Sequence, residues 1–446
     1  MEQAANRLLE KLQTHGYEAY LVGGCVRDRI LQKPIQDIDI ATNALPQQVM
    51  ELFSHSIPTG LQHGTVTVLM EGVPFEVTTY RKESSYIEHR RPLEVDFVSN
   101  LHEDLQRRDF TMNAMAMEVN GVIIDPFNGQ GDLSLGIVRC VGNPQERFQE
   151  DALRMLRCIR FAANYSLRIE PATWRALTEQ IHLLTFIAME RVRVELEKMM
   201  AGDHPYHALE LLLEAKLLQH LKQELQLPIA KWQPDELPAY LMELTKLEEP
   251  NLRWALLFLS MQISGDKANR AMKKLTFSSK QIKAVLPLLK LEHWFHEQIE
   301  QVIKESRFPE KIEPVSLSTA RLSLDRPVLI WKRAAVQFGK SALLGWLQLK
   351  RIEITENAKG QSTDVKQAIF AAFLDHGADW ISEMPVETLA ELDIIGSDLV
   401  EYFELTAGPW VSEVLHRLLL DAAFGNARNQ KSHLLQRAEI YRKELN

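Results

Sequence analysis

The apolar pattern of this chain changes period once, near residue 146, and no other feature restricts its fold as much. Before that point, short alternating stretches at 17–22, 37–40, 65–70, 75–79, 95–98 and 121–125 read as strands. Gly23, Gly24, Gly60, Gly64, Gly72, Gly121, Gly129, Gly131 and Gly136 punctuate them at expected turns. Beyond it, stretches rich in Leu, Ala, Glu, Lys and Arg place apolar residues three and four apart nearly to Asn446, as in the run from Ala208 to Ala215. Pro250, Pro287, Pro314, Pro327 and Pro385 are expected to break one helix from the next. The coarse expectation is a sheet-bearing head with a long all-helical extension.

A chain of 446 residues has room for several domains. With 46% hydrophobic and 25% charged residues, wholesale disorder is excluded. Acidic residues outnumber basic ones by 60 to 51, for a net charge of -9, so a broadly polycationic nucleic-acid binder is excluded too. A local basic surface is not. Three cysteines, Cys25, Cys140 and Cys158, are too few and too scattered for a disulfide scaffold or a cysteine zinc site, which suits a reducing compartment. The start, from Met1 to Leu12, reads as an amphipathic helix carrying acids and not as a signal peptide. No apolar run reaches the roughly 18–20 residues that span a bilayer. The expectation is a soluble, cytoplasmic protein.

The sharpest local signal is Leu21-Val22-Gly23-Gly24-Cys25-Val26-Arg27-Asp28, with Asp37-Ile38-Asp39 close behind. Paired glycines let a backbone approach a phosphate and leave its N–H groups free to donate, and Arg27 adds a charged fork toward the same anion. On a strand, Asp37 and Asp39 would share one face and repel each other unless a cation sits between them. Mg²⁺, held by carboxylates and substrate phosphates, is the natural occupant. Taken alone, Asp-x-Asp reads as a solvated loop; the preceding Gly-Gly-x-x-Arg supplies the phosphate half of a metal–nucleotide site. Glu76, on an alternating strand that would run beside them, is a candidate third carboxylate, or else an edge-strand charge. The run from Gln106 to Ala114 offers Arg108 to a phosphate or ribose with Asp109 beside it, or a polar loop capping a helix near Thr111. Asp151, Arg154, Arg157 and Arg160 recur every third residue and read as one polar stripe on a helix. An aspartate acceptor facing the exocyclic amine of cytosine or adenine, beside an arginine donor facing the ring nitrogen, would select CTP and ATP. Uracil and guanine present the reverse pattern.

In order and spacing, Gly23-Gly24-x-x-Arg27-Asp28, Asp37-x-Asp39, Arg107-Arg108-Asp109-Phe110-Thr111 and Glu150-Asp151-x-x-Arg154 resemble the class II tRNA nucleotidyltransferases, and within them the bacterial CCA-adding enzymes. The stretch from Asp125 to Leu133 looks like that family's hinge motif, and the stretch from Ala188 to Leu196 like its helix-stabilising motif. Past about residue 205 only helical character matches. The resemblance implies an α+β head (a polymerase-β-like nucleotidyltransferase sheet with helices) followed by an all-α neck, body and tail. These would occupy residues 1–145, 146–205, 206–310 and 311–446. It implies that Asp37 and Asp39 bind Mg²⁺ with Glu76 near them, and that Gly24 and Arg27 contact the nucleotide. Arg108 and Asp109 would serve its ribose and phosphates, Asp151 and Arg154 its base, with Arg157 and Arg160 in support. Residues 81–92 occupy the place of a family loop needed for the switch to adenosine, at full length, which argues against enzymes that add only CC.

The implied reaction is template-independent addition of CCA to tRNA from CTP and ATP with release of pyrophosphate. The implied partner is the acceptor and TΨC stem of tRNA; no protein partner is evident, and a homodimer stays open. Two basic runs would hold the RNA: Lys267, Arg270, Lys273, Lys274, Lys280, Lys283 and Lys290, then Arg428, Lys431, His433, Arg437, Arg442 and Lys443. Trp232, Trp254, Trp294, Trp331, Trp346, Trp380 and Trp410 have apolar neighbours and are expected in cores. Rival readings are a bacterial poly(A) polymerase, a partial CC- or A-adding enzyme, and a non-catalytic RNA-binding protein on the same fold. The segment from Leu61 to Val68 disfavours the polymerase, and intact Asp37, Asp39 and Arg108 disfavour the binding protein.

Overall fold

The computed structural model describes residues 1–87, 91–306, 325–357 and 365–444. They fall into two compact units, Met1–Leu237 with Lys273–Thr276, and Pro238–Met272 with Phe277–Asn446.

In the first unit, helix α1 (Glu2–Thr14) lays Ala4, Ala5, Leu8, Leu9 and Leu12 into the core. The sheet is built from β1 (Ala19–Val22), β2 (Asp39–Thr42), β3 (Ser56–Gly60), β4 (Thr65–Met70), β5 (Val73–Thr79), β8 (Ala116–Met117) and β9 (Ile123–Ile124), in the order β3-β4-β5-β2-β1-β8-β9. Strand β4 matches its expected bounds because Val66 and Val68 alternate into the core opposite Phe75 and Val77. Helices α2 (Gly24–Ile30), α3 (Pro46–Leu52) and α4 (Leu101–Gln106) pack around it. Strands β6 (Arg81–Ile87) and β7 (Arg91–Phe97) form a separate antiparallel ribbon, so much of 81–92, expected as a loop, is paired strand; residues 88–90 lie outside the described residues.

One expectation fails at the strand that matters most. The second strand starts at Asp39, and Asp37 lies ahead of it, so Asp37 and Asp39 do not share a strand face. The reason is the partner. Val22 pairs with Asp39, and at Gly23 the backbone swings to φ +75° to open α2, leaving β1 nothing to offer Asp37.

Next come α5 (Gly129–Ser134), β10 (Ile137–Val138), α6 (Pro144–Glu150), α7 (Leu153–Asn164), β11 (Arg168–Ile169), α8 (Pro171–Gln180), α9 (Met189–Ala201) and α10 (Pro205–Glu214). This stretch is helical apart from the short parallel pair β10–β11. Helix α7 is buried nearly all round, Arg154 and Arg160 included, and packs on α9 and α10. Asp151 stands before α7 and accepts from the Leu153 N–H at 3.1 Å, so the expected helical stripe holds only its arginines.

The second unit is helical: α11 (Pro250–Ser260), α12 (Gly265–Lys274), α13 (Ser279–Ser306), α14 (Asp325–Phe338), α15 (Lys340–Asn357), α16 (Val365–Ser382), α17 (Gly396–Phe403), α18 (Pro409–Ala423) and α19 (Lys431–Glu444). Pro250 opens α11, Pro327 sits in the first turn of α14 and Pro385 follows α16. Pro287 instead lies inside α13, contrary to the expected break. An internal proline costs about 3 kcal/mol. Here Val285, Leu288, Leu289, Leu291, Phe295 and Ile299 of the same helix are buried, and each large side chain returns roughly 1.5–3 kcal/mol. Pro314 lies outside the described residues. Trp331 and Trp346 are fully buried, Trp254 and Trp380 nearly so, while Trp232, Trp294 and Trp410 are half-buried.

Candidate active site

A cavity of about 560 Å³ opens where the edge of the head sheet faces α7. Gly23, Gly24, Arg27, Asp39, Glu76, Arg108, Asp109, Asp151, Arg154, Arg157 and Arg160 all line it. Gly23 is required by its φ of +75°, and a Cβ there would also stand 2.9 Å from Nη1 of Arg108, pushing that guanidinium aside. Gly129 is needed for a different reason, since a Cβ would lie 2.3 Å from the carbonyl oxygen of Thr111, displacing the segment that carries Arg108 and Asp109.

The acidic side is made by the sheet register. Asp39 and Glu76 are directly paired across the parallel strands β2 and β5, so both carboxylates meet the same mouth. Burial raises the Asp39 carboxyl above its usual range; Arg108 opposes this, while the charges of Glu76 and Asp37 add to it. Asp37 is exposed, outside the cavity lining, and acts on Asp39 only through its field in this arrangement. Among the described residues no three His, Cys, Asp or Glu side chains come together to cage a metal unaided. An oxygen pair carrying surplus negative charge suits a hard divalent cation whose remaining ligands come from substrate and water.

The basic side is a set of arginines held by buried acids. Arg27, 6% exposed, forks onto Asp28 at 2.9 and 3.0 Å, donates to Oδ1 of Asn113 at 2.6 Å, and lies over the Tyr165 ring at 4.3 Å. Asn113 in turn donates to Oδ1 of Asp109 at 3.0 Å. The other oxygen of Asp109 takes Nε of Arg157 at 2.8 Å. Burial pushes the Asp109 carboxyl up, but Arg157, Asn113 and Arg154 outweigh it and hold it well below the carboxylate range. Glu195 on α9 accepts from Nε of Arg160 at 2.6 Å and faces Arg157 as well. Asp109 therefore lines the cavity with both oxygens occupied by its neighbours.

At the far end, Asp151 and Arg154 are each fixed by a second partner. Arg191 of α9 reaches Asp151 through both Nη atoms, at 3.2 and 2.7 Å. Arg154 donates to Glu150 at 2.9 Å and to the carbonyl oxygen of Arg107 at 2.9 Å. Oδ1 of Asp151 takes both the Leu153 N–H and one Arg191 Nη, whereas Oδ2 accepts from Arg191 alone and keeps a lone pair with which to accept from a ligand.

Sequence reasoning therefore gathered the residues that line one cavity, Asp37 excepted. It missed Asn113, Arg191, Glu195 and the buried Asp104, which act by holding other side chains. Of these, Arg191 and Glu195 lie in the stretch read as helix-stabilising, the one signal that pointed their way. The cysteines are all buried free thiols, with burial pushing Cys25 up to about 11 and Cys140 up to about 12.

A mixed sheet presenting paired carboxylates opposite phosphate-side arginines defines a nucleotidyltransferase. Residues 19–139 match the family model of the Poly A polymerase head domain, 166–227 that of the "Probable RNA and SrmB- binding site of polymerase A", and 335–438 that of tRNA nucleotidyltransferase domain 2. A CCA-adding enzyme of Bacillus cytotoxicus is 37% identical over 434 residues, which cover 96% of this chain and 95% of that one. The crystal structure of the Bacillus stearothermophilus CCA-adding enzyme in complex with CTP aligns with a TM-score of 0.73 at 30% identity, over 99% of this chain and 98% of that one. A Thermotoga maritima CCA-adding enzyme complexed with tRNA shares the fold, with a TM-score of 0.58 at 19% identity over 99% and 94% of the two chains. The chain belongs to the CCA-adding enzymes, a tRNA nucleotidyltransferase family. The head alone would not separate it from a poly(A) polymerase; similarity over the full length does.

Proposed function

We propose that this enzyme adds the CCA terminus to tRNA from CTP and ATP without a template, by nucleotidyl transfer. The supporting observation is that one cavity is lined by a carboxylate pair, a row of phosphate-side arginines and an Asp–Arg pair suited to reading a base. In this reading Asp39, with Glu76 beside it and Asp37 at its edge, holds a divalent cation, Mg²⁺ by its preference for carboxylate and phosphate oxygen. When bound, that ion supplies charge neutralisation and eases deprotonation of the tRNA 3′-hydroxyl. Gly24 lets the backbone come close to the nucleotide, and Arg27 and Arg108 face its phosphates and ribose. Asp109 keeps Arg157 and Asn113 in place. The hydroxyl oxygen bonds to the α-phosphorus, the bond to the β-phosphate oxygen breaks, and pyrophosphate leaves toward the arginines.

Asp151 accepts from the exocyclic amine of cytosine or adenine while Arg154 donates to the ring nitrogen, with Arg157 and Arg160 behind them. A hydrogen-bonding site of this kind rejects the reversed pattern of uracil or guanine because its own polar groups would be stranded. We read residues 1–145 as the catalytic head, 146–205 as the neck bearing the base-reading helix, 206–310 as the body and 311–446 as the tRNA-binding tail. Three buried free thiols, and the lack of any helix long and apolar enough to cross a membrane among the described residues, suit work in the cytoplasm.

The deciding assay supplies tRNA lacking its CCA end with CTP alone, ATP alone or both, and sequences the products. CC with CTP alone and CCA with both is the expected result. A long run of A would identify a poly(A) polymerase, and a stop at CC with both nucleotides a partial enzyme.

A further inference from the structure

Most arginines around the cavity have an acid or a backbone oxygen of their own; Arg108 does not. Its only acceptor among the described residues is Oδ2 of Asp104, 3.3 Å from Nη2, and its Nε is buried without a partner. Asp104, on α4, is 1% exposed, and its other oxygen is shared. Oδ1 accepts from Nε and Nη2 of Arg107 at 3.0 and 2.8 Å and from the backbone N–H of Arg81 at 3.4 Å. Arg81, Arg107 and Arg108 all line the cavity. One buried anion thus serves two guanidinium groups and the first residue of the β6–β7 ribbon. With Arg107 the tighter partner, the surplus positive charge falls on Arg108, whose charge also reaches Asp39. Burial pushes the Asp104 carboxyl up, yet Arg107 and Arg108 outweigh it and keep it ionised.

We propose that Asp104 is a positioning residue for nucleotidyl transfer: it aims Arg108 at the β- and γ-phosphates and fixes that arginine to the root of the ribbon beside the cavity. The inference rests on Arg108 facing the triphosphate, as read above. A carboxylate that served only to hold α4 in place would affect stability and leave recognition of phosphate unchanged.

Pyrophosphate and CMP separate these roles, because CMP lacks the two outer phosphates. For Asp104→Asn, KM for CTP and the inhibition constant of pyrophosphate should rise together by about tenfold, the loss of roughly one charged hydrogen bond, with the inhibition constant of CMP unchanged. Arg108→Gln should do the same, and the double variant should be no worse than Arg108→Gln alone, since the aspartate acts through that arginine. These constants do not depend on the fraction folded; if Asp104→Asn yields no folded enzyme, Asp104→Ser, which leaves room for a water, takes its place. If Arg108→Gln weakens pyrophosphate while the Asp104 variant does not, or if the two effects multiply, the positioning role is overturned and the reading of Arg108 stands. If Arg108→Gln leaves pyrophosphate inhibition unchanged, the placement of Arg108 itself falls and the inference falls with it.

Discussion

Asp151 has two properties a base reader needs: it offers an acceptor to the cavity, and it cannot turn away. The two-point grip of Arg191 and the bond from the Leu153 N–H fix the plane of its carboxylate, so a base must fit the acceptor as presented. Arg191→Ala should leave Asp151 free to rotate. Incorporation of UMP relative to CMP should then rise by about tenfold, with kcat on CTP falling by less than about threefold. Competition between the two nucleotides, read by sequencing the 3′ ends, measures the ratio. Unchanged rejection of UTP, in Arg191→Ala and equally in Asp151→Asn, would remove the base-reading assignment. At this scale the sequence was informative about residues that face a ligand, since Asp151 and Arg154 stand out by their spacing. Of their supports it marked only the helix-stabilising stretch and not its partners, because Arg191 lies 40 positions away and only the packing of α7 on α9 brings it close. Asp37 shows the opposite failure. The motif drew attention to it, but its place depended on where β1 stops pairing.

Among the elements, α13 departs furthest from its local signals, continuing through Pro287 because its apolar face is buried beyond it as far as Ile299. Phe295 stacks on Trp331 at 5.4 Å and packs against Trp346 at 4.6 Å and Phe373 at 4.9 Å. Beside this aromatic core Glu292 accepts from Nε1 of Trp346 at 2.6 Å, Nζ of Lys350 at 2.6 Å and Nε2 of His296 at 2.7 Å. Burial raises the Glu292 carboxyl, but His296 and Lys350 outweigh it and bring it down to about 2. A carboxyl held lower in the folded than in the unfolded chain contributes stability above its unfolded value of about 4.3, and loses it as the pH falls toward 2. Lys350 is shifted up, so its share is complete below about 10.4 and fades as the pH rises through its folded value. Glu292→Gln should therefore cost about 2 kcal/mol at pH 7, less than a fully stranded buried charge because Glu353 still pairs with Lys350 at 2.6 Å. The gap from the parent should close as the pH drops below about 4. Urea midpoints followed by tryptophan fluorescence across pH 3 to 7 give the comparison, and a gap that stays constant would refute the role assigned to the ion pair. The contrast with β4 explains what was legible. A strand with one buried face writes its period into the sequence, whereas β6, rich in charged and hydroxyl residues, shows no alternation to read, and of its partner β7 only the end at 95–98 was legible.

For the molecule as a whole, the difficulty is an enzyme of net charge -9 that must hold a polyanion. The basic residues of the two runs read from the sequence differ once their neighbours are known. Lys431 pairs with Asp398 at 2.7 Å, Arg437 with Asp421 at 2.5 Å, Arg442 lies over the Trp410 ring at 5.6 Å, and Lys274 donates to the Glu224 carbonyl at 2.6 Å. Those charges are largely spent inside the fold, a division that spacing along the chain cannot reveal. Lys280, Lys283 and Lys290 are exposed, with no ion pair among the described residues, and their spacing of three and seven puts them on one face of α13. A face of unpaired lysines is where phosphates can release counterions. Lys283→Gln combined with Lys290→Gln should flatten the plot of log Kd for tRNA against log salt by about one unit of slope for each phosphate left without its lysine. Lys431→Gln combined with Arg437→Gln should leave that slope unchanged and lower the thermal midpoint instead, because the groups removed there are partners of Asp398 and Asp421. If the slope responded to the second pair and not to the first, the tail would hold phosphates through Lys431 and Arg437 themselves, whose intramolecular pairs would have to open for RNA to bind.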